Sequence, residues 1–106
     1  MTKTIVCCFV FTKHNDTLCV LAVLRGKNAR NHHDEWCVPG GHVESIDDDK
    51  PSAALRELYE ETNLTLQLNQ ISFLNIEQEC MHEGFVIHNY YSYLDSFFKE
   101  YLAFIT

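Results

Sequence analysis

The chain has 106 residues, of which 46% are hydrophobic and 22% are charged, and its formal net charge is −7 at pH 7. This length suits one domain over residues 1–106 with a modest core, and the apolar fraction excludes a disordered chain. The acidic balance disfavours a nucleic-acid polymer or a membrane surface as partner, although a polyphosphate can still bind when metal ions screen the contact.

Five cysteines show no Cys-x-x-Cys spacing: Cys7, Cys8, Cys19, Cys37 and Cys80. An odd number in this pattern favours reduced, mostly buried thiols over a disulfide framework. No segment is apolar enough to span a bilayer, and the start shows no signal-peptide pattern. We therefore expect a cytoplasmic protein.

The first third of the chain predicts a β-hairpin followed by a loop. An apolar run rich in β-formers, Thr4–Phe11, predicts a buried strand, and a turn at Lys13–Asp16 leads to a second strand, Leu18–Leu24. Residues 25–35 are polar and predict a loop before a strand at Trp36. The paired histidines in this loop have no further ligand at metal spacing, so we expect them to be exposed.

A helix over residues 51–62 carries acidic side chains on one face. At about 100° per residue, Glu57, Glu60 and Glu61 fall within an arc of roughly 100°, opposite the apolar positions. Like charges at these spacings weaken a helix by a few tenths of a kcal/mol per pair, and a cation between them would relieve the repulsion. Oxygen-only ligands suit a hard ion such as Mg²⁺. The alternative is a solvated acidic face.

Capping residues mark both ends of this helix. Asp49 or Lys50 is the expected N-cap, with Pro51 in the first turn, where its missing N–H costs nothing. Asn63 is the expected left-handed C-cap. Capping is also the alternative explanation for the acidic run that ends at Asp49. A calcium loop is disfavoured, since the run lacks alternating oxygen ligands and a glycine turn.

The segments after the helix predict further strands. Apolar and polar residues alternate over 64–68 and 71–78, a turn follows at 81–84, and residues 85–94 predict a long aromatic-rich strand. Its three tyrosines could stack on a base, with sheet packing as the commoner alternative. Residues 95–106 fit either a short helix or a strand. An apolar face left uncovered there would favour a homodimer.

The stretch from Trp36 to Leu64 resembles the Nudix box of the MutT/Nudix hydrolases. That motif is Gly, five residues, Glu, seven residues, then Arg-Glu-aliphatic-any-Glu-Glu-any-Gly-aliphatic. Gly41 matches its start and Arg56–Leu64 its end, with Asn63 in place of Gly. Counting back from Arg56 places the first motif acid at Asp48, one residue too far from Gly41, with Asp47 as the other candidate.

The resemblance implies an α+β fold, an α/β/α sandwich with a mixed β-sheet. It implies hydrolysis, with Mg²⁺ or alternatively Mn²⁺, of a nucleoside diphosphate linked to another group. The leading substrate is a (deoxy)nucleoside triphosphate, cleaved to a monophosphate and pyrophosphate. The alternatives are a nucleotide sugar or dinucleoside polyphosphate hydrolase, and a Nudix-fold nucleotide-binding module without catalysis.

Matching residue by residue, the resemblance implies a metal site formed by the Gly41 carbonyl and the carboxylates of Glu57, Glu60 and Glu61. Glu57 is also the candidate general base, and Arg56 would hold its carboxylate. Asp48 is a candidate accessory ligand. Further ligands from outside the helix and contacts to substrate are weaker candidates, with surface roles as the alternative: Glu77, Glu79 or Glu83 for the metal, and Arg25, Arg30 and Trp36 for the substrate.

Overall fold

The computed structural model describes residues 3–26, 35–80 and 84–95, with only the backbone for 75–80. These ranges contain a short 3-10 turn at Leu68–Gln70 and eight regular elements, here numbered in chain order: β1 (Lys3–His14), β2 (Thr17–Val20), β3 (Val23–Leu24), β4 (Trp36–Cys37), β5 (Gly40–His42), α1 (Lys50–Thr62), β6 (Ser72–Cys80) and β7 (Phe85–Tyr93).

Strand β1 is the centre of a five-stranded mixed sheet. Along one edge it pairs antiparallel with β5 in its first half and with β2 in its second half. Along the other edge it pairs parallel with β7, which in turn pairs antiparallel with β6. The fold is therefore α+β with a mixed sheet, as predicted. The second helical layer of the expected sandwich would have to come from residues 96–106, which are outside the described part of the chain.

The core lies between this sheet and α1. Because side chains alternate along a strand, Val6, Cys8 and Val10 point to one face of β1, and all three are fully buried. Leu58 and Ala54 of α1 are fully buried against the same cluster. Burial of a Leu or Val side chain stabilises the fold by about 1.5–3 kcal/mol. This packing fixes the rotation of α1 and places its acidic face beside β5.

The hairpin is confirmed, with a longer first strand and a shorter second strand than predicted. Its turn consists of Asn15 and Asp16 alone, at φ values of 49° and 64°, as expected for a two-residue hairpin. The predicted strand Leu18–Leu24 is divided. After β2 the chain leaves the sheet at the buried Leu21, and β3 pairs instead with β4 in a separate two-stranded ribbon.

The chain bends at Pro39, and the two glycines after it form β5. Positive φ among the described glycines occurs at Gly84. The reason for glycine at position 40 is therefore space: a Cβ there would lie 2.5 Å from the Val6 carbonyl oxygen. The alternating segment 64–68 is not a strand; it buries Leu64 and Leu66 beside α1 and runs into the 3-10 turn.

Both caps of α1 are confirmed. The Asp49 side chain accepts a hydrogen bond from the Ser52 N–H at 2.9 Å, and Pro51 lies in the first turn. At the other end Asn63 adopts φ 63°, and its N–H donates to the Tyr59 carbonyl at 2.8 Å. The Asp49 side chain thus satisfies a backbone N–H of the first turn, and the Asn63 N–H satisfies a carbonyl of the last turn, which are groups that a helix end can leave unpaired.

Several predictions fall outside the described residues: Arg30, the paired histidines, Glu83, the side chains of Glu77 and Glu79, and the conformation of residues 96–106. The cysteines with described side chains are free thiols. Burial raises the pKa of Cys7 to about 11 and that of Cys8 to about 12, so both stay protonated at neutral pH. Among the described helices none is long and apolar enough to cross a membrane.

Candidate active site

The guanidinium of Arg56 connects α1 to the loop that follows β5. Its Nε donates to Asp47 Oδ1 at 2.8 Å and its Nη2 donates to Asp47 Oδ2 at 3.0 Å, which makes a bidentate ion pair. Nη2 also donates to the His42 carbonyl at 3.0 Å. Hydrogen bonding to Asp47 raises the pKa of Arg56 and lowers that of Asp47. Both groups are therefore charged throughout the physiological range.

The remaining nitrogen of Arg56 faces three glutamates. Nη1 donates to Glu57 Oε1 at 3.0 Å and to Glu60 Oε2 at 2.9 Å, and it lies 2.9 Å from Glu44 Oε2. The expected hydrogen bond from Arg56 to the neighbouring Glu57 carboxylate is thus present. One guanidinium partly neutralises four carboxylates, which lets the acidic cluster form without mutual repulsion dominating.

Glu57 packs directly on the backbone of Gly41. A Cβ placed on Gly41 would lie 2.6 Å from the Glu57 carboxyl carbon, closer than real side chains approach. Only a glycine leaves room for this carboxylate, so the glycine of β5 and the acid of α1 form one site. Burial raises the pKa of Glu57 above its ordinary value, and the neighbouring Arg56 partly offsets that rise.

Glu61 contacts the preceding glycine. Its Oε2 accepts a hydrogen bond from the Gly40 N–H at 2.8 Å. Burial, supported by repulsion from Glu57, raises the pKa of Glu61 to about 7, although the Gly40 hydrogen bond and the charge of Arg25 oppose the rise. At neutral pH this carboxyl group is therefore partly protonated. A cation nearby would favour its ionised form.

The donor set fits a hard divalent cation. The available ligands are carboxylate and carbonyl oxygens, and Glu57 with Glu61 are carboxyl groups whose burial disfavours an uncompensated charge. The bare backbone at Gly41 provides the close approach that such a site needs. In the part of the chain that the structure describes, however, no three such side chains already converge as ligands. Arg56 holds Glu60, and Gly40 holds Glu61.

The predicted accessory ligand, Asp48, and the predicted substrate contacts, Arg25 and Trp36, are outside the group of side chains that contact Arg56. Asp48 is exposed, and of the two candidates for the first motif acid it is Asp47 whose carboxylate contacts Arg56. Arg25 is close enough to act on the charge of Glu61, and its backbone N–H donates to the Glu35 carbonyl at 2.9 Å. Trp36 is 54% exposed on β4. Metal binding by Asp48 and substrate contacts by Arg25 and Trp36 stay predictions.

Glu44 is a member of the cluster that the sequence did not indicate, and Asp47 was named only as the other candidate for the first motif acid. Counting back from Arg56 selects Asp48, whereas counting forward from Gly41 with five residues between selects Asp47. The forward count is the signal that identifies the buried acid. It is the better count because β5 and its turn are fixed to β1, and the extra residue is accommodated just before the helix.

A Nudix domain model matches residues 1–100 of this chain, which therefore belongs to the Nudix family. Similar solved structures include a MutT/nudix family protein from Enterococcus faecalis (22% identity, TM-score 0.75, 89% of this chain and 37% of that chain). Another is the NUDIX domain of Shewanella oneidensis NrtR complexed with ADP ribose (24% identity, TM-score 0.76, 92% of this chain and 63% of that chain). A third is the C. elegans Ap4A hydrolase (21% identity, TM-score 0.67, 91% of this chain and 70% of that chain).

At these identities the likeness to solved structures shows the fold. The chain spans 37% of the Enterococcus faecalis protein and 63% of the NrtR domain chain. A sequence comparison with curated proteins gives no match.

Replacing Gly41 by alanine tests the contact between β5 and Glu57. The new methyl group would meet the end of a flexible side chain, so we expect the fold to persist while the Glu57 carboxylate is displaced. A misplacement of about 1 Å at a reacting group costs roughly 10²-fold in rate, so kcat for nucleotide hydrolysis should fall by about that factor. Circular dichroism and steady-state kinetics measure the two effects.

Two other glycines provide controls for this substitution. Gly40→Ala would collide with the Val6 backbone and should lower Tm, because β5 would have to move away from β1. Gly26→Ala meets no atom within 4 Å and should change neither Tm nor kcat. Full activity in Gly41→Ala would show that the close approach of Glu57 is not needed.

Proposed function

We propose that this chain is a divalent-cation-dependent nucleotide pyrophosphatase. The observation that carries the proposal is the convergence of Glu57 and Glu61 of α1 on the two glycines of β5, with Arg56 bound to the Glu57 carboxylate. A purely structural acidic face would not need bare backbone under one carboxylate or the burial of another. The family membership supports the same class of reaction.

The metal ligands we propose are Glu57, Glu60, Glu61 and the carbonyl oxygen of Gly41. They would hold Mg²⁺, or alternatively Mn²⁺, both of which prefer oxygen ligands. When bound, such an ion supplies charge neutralisation at a diphosphate and lowers the pKa of coordinated water. Asp48 is an alternative accessory ligand because it is exposed and close to the helix start.

The proton transfer is assigned to Glu57. In the proposed reaction a water oxygen forms a bond to phosphorus, the bond from that phosphorus to the bridging oxygen breaks, and Glu57 accepts the proton from the water. Arg56 Nη1, at 3.0 Å from Glu57 Oε1, would orient the carboxylate for this role without touching the substrate. Arg25 and Trp36 would contact the nucleotide from the side of the β3–β4 ribbon.

The substrate we propose first is a (deoxy)nucleoside triphosphate, cleaved to a monophosphate and pyrophosphate. A dinucleoside polyphosphate or a nucleotide sugar is the alternative, and the similar C. elegans Ap4A hydrolase favours testing the former. All of these contain a nucleoside diphosphate, the group that the acidic site would recognise together with its cation.

A nucleotide panel tests the proposed activity. The chain should release pyrophosphate or a nucleoside monophosphate from at least one of the nucleoside triphosphates, Ap4A, ADP-ribose and a nucleotide sugar in the presence of Mg²⁺. Excess EDTA should abolish the release, and added Mg²⁺ should restore it. Chromatography of the nucleotides and an assay of pyrophosphate identify the bond that is cut. Turnover that persists in EDTA would contradict the metal dependence.

A non-catalytic nucleotide-binding module is the second candidate. The similar NrtR NUDIX domain was solved in a complex with ADP ribose, so this fold can hold a nucleotide derivative. If calorimetry detects nucleotide binding while every member of the panel stays intact, the module is favoured over the enzyme.

We also propose that the chain forms one domain, lies in the cytoplasm and binds neither a nucleic-acid polymer nor a membrane. A homodimer is our proposal for its assembly. Light scattering at micromolar concentration tests the dimer, and a monomeric mass would contradict it.

A further inference from the structure

Asp47 is the most buried acid of the loop between β5 and α1. Its side chain is 4% exposed, and every oxygen has a partner: Oδ1 accepts from Arg56 Nε, and Oδ2 accepts from Arg56 Nη2 and from the Glu44 N–H at 2.8 Å. The Asp47 N–H donates to the Glu44 carbonyl at 3.0 Å, which closes a tight turn. One carboxylate thus closes this turn and binds the helix.

This ion pair determines which donors of Arg56 remain for the glutamates. A guanidinium has five N–H groups in a fixed plane. Asp47 and the His42 carbonyl take the Nε–H and both N–H groups of Nη2. Only Nη1 is left, and it faces Glu57, Glu60 and Glu44. Without Asp47 the guanidinium would keep its contacts to the His42 carbonyl and the glutamates but would lose the bidentate pair that fixes its plane. The Arg56 donor that faces the Glu57 carboxylate would then be less fixed in position.

The length of the loop matches the length of the acid. Eight residues lie between Asp47 and Arg56, where the Nudix motif has seven, and aspartate is one methylene shorter than the glutamate of the motif. The extra residue, Asp48, is exposed between Asp47 and the N-cap Asp49. In this loop the Asp47 carboxylate meets Arg56 along its Nε edge, at 2.8 Å from Nε and 3.0 Å from Nη2.

We propose that Asp47 is a positioning residue that orients Arg56, and through it Glu57, and that the one-residue longer loop compensates for its short side chain. The consequence for catalysis rests on the proposed hydrolase function. The orientation of Arg56 does not, and it can be measured separately.

The first test is Asp47→Asn. The amide keeps the shape of the side chain but presents an N–H₂ group to donors that need an acceptor. We expect kcat to fall by about 10–100-fold, the usual loss when an orienting partner is removed, with KM within about threefold. In ¹H–¹⁵N spectra the Arg56 Nε–H signal should lose its hydrogen-bonded shift and its protection from exchange. Asp16→Asn makes the same change in the exposed β1–β2 turn and should alter none of these quantities.

The second test lengthens the side chain at position 47 and shortens the loop by one residue. Asp47→Glu alone should lower kcat, because the longer acid no longer fits the longer loop. Combining Asp47→Glu with deletion of Asp48 should restore the Arg56 Nε–H signal, since a compensating pair is non-additive. The signal is the readout for this variant, because Asp48 is also the alternative accessory ligand and its deletion can change activity by itself.

Two outcomes would overturn the inference: an unchanged Arg56 Nε–H signal in Asp47→Asn, or a combined variant whose Arg56 Nε–H signal lies further from that of the wild type than in Asp47→Glu alone. If the wild-type chain hydrolyses no nucleotide, the proposed function fails. The spectra of the same variants would still decide whether Asp47 orients Arg56.

Discussion

Glu57→Gln is expected to lower kcat for nucleotide hydrolysis by about 10³-fold, the scale of a lost general base. The amide cannot accept a proton from water, and it is a poorer ligand for a divalent cation. Its shape is retained, so the packing on Gly41 and the core contacts of α1 should persist. Steady-state kinetics with Mg²⁺ and thermal denaturation measure the two properties in the same preparation.

The outcome depends on which role Glu57 has. If it is both base and ligand, kcat falls and the affinity for Mg²⁺, measured by calorimetry, falls with it. If it is a ligand only, added Mn²⁺ or a higher Mg²⁺ concentration should recover most of the activity. Asp16→Asn, the same carboxylate-to-amide change at an exposed turn, is the control and should behave as wild type. Near-normal turnover in Glu57→Gln would refute both roles.

Glu61→Gln is expected to stabilise the metal-free protein above pH 7 while reducing its activity. The pKa of Glu61 is raised by burial to about 7 in the folded chain, above the ordinary glutamate value of 4.5. Between these values the folded state binds more protons than the unfolded state, so stability falls as pH rises. The neutral amide removes this penalty, and its oxygen can still accept the hydrogen bond from the Gly40 N–H.

The size and sign of this effect can be measured in EDTA. The pKa shift of Glu61 overstates the energy because its side chain is partly exposed to water. We therefore expect the free energy of unfolding of Glu61→Gln to exceed that of the wild type by about 1 kcal/mol at pH 8, or roughly 5 °C in Tm, and by almost nothing at pH 5. With Mg²⁺ the order should reverse, because the wild type gains stability from a bound ion and the variant gains less. Activity should fall by about 10²-fold. A variant less stable than wild type at pH 8 in EDTA would contradict the claim that the ionised, buried Glu61 carboxylate destabilises the metal-free fold.

The helix and its ends were predictable because they depend on neighbouring residues. Asp49 binds the backbone of Ser52 three positions on, and Asn63 tolerates the left-handed conformation that ends the helix. The same holds for the turn at Asn15 and Asp16. The parallel pairing of β1 with β7 is not local in this sense. The resemblance to the family implied a mixed sheet but not this pairing, and no local pattern specifies which strand is the neighbour.

The arrangement of the site was decided by contacts between distant segments. The motif placed Glu57, Glu60 and Glu61 on one face of α1, but it did not show that Gly40 binds Glu61 or that Asp47 holds Arg56. The path of the loop between β5 and α1 sets which acid reaches the guanidinium, and one extra residue moves that position away from the one obtained by counting back from Arg56.

The sequence by itself determined the helix, its caps, its acidic face and the family. The tertiary structure decided which carboxylates are buried, which of them forms the bidentate ion pair with Arg56, and which part of the backbone packs against Glu57. The physical reason is that residue spacing along a helix is fixed by its geometry, whereas burial and ion pairing across a loop depend on how far the two anchored ends lie apart in space.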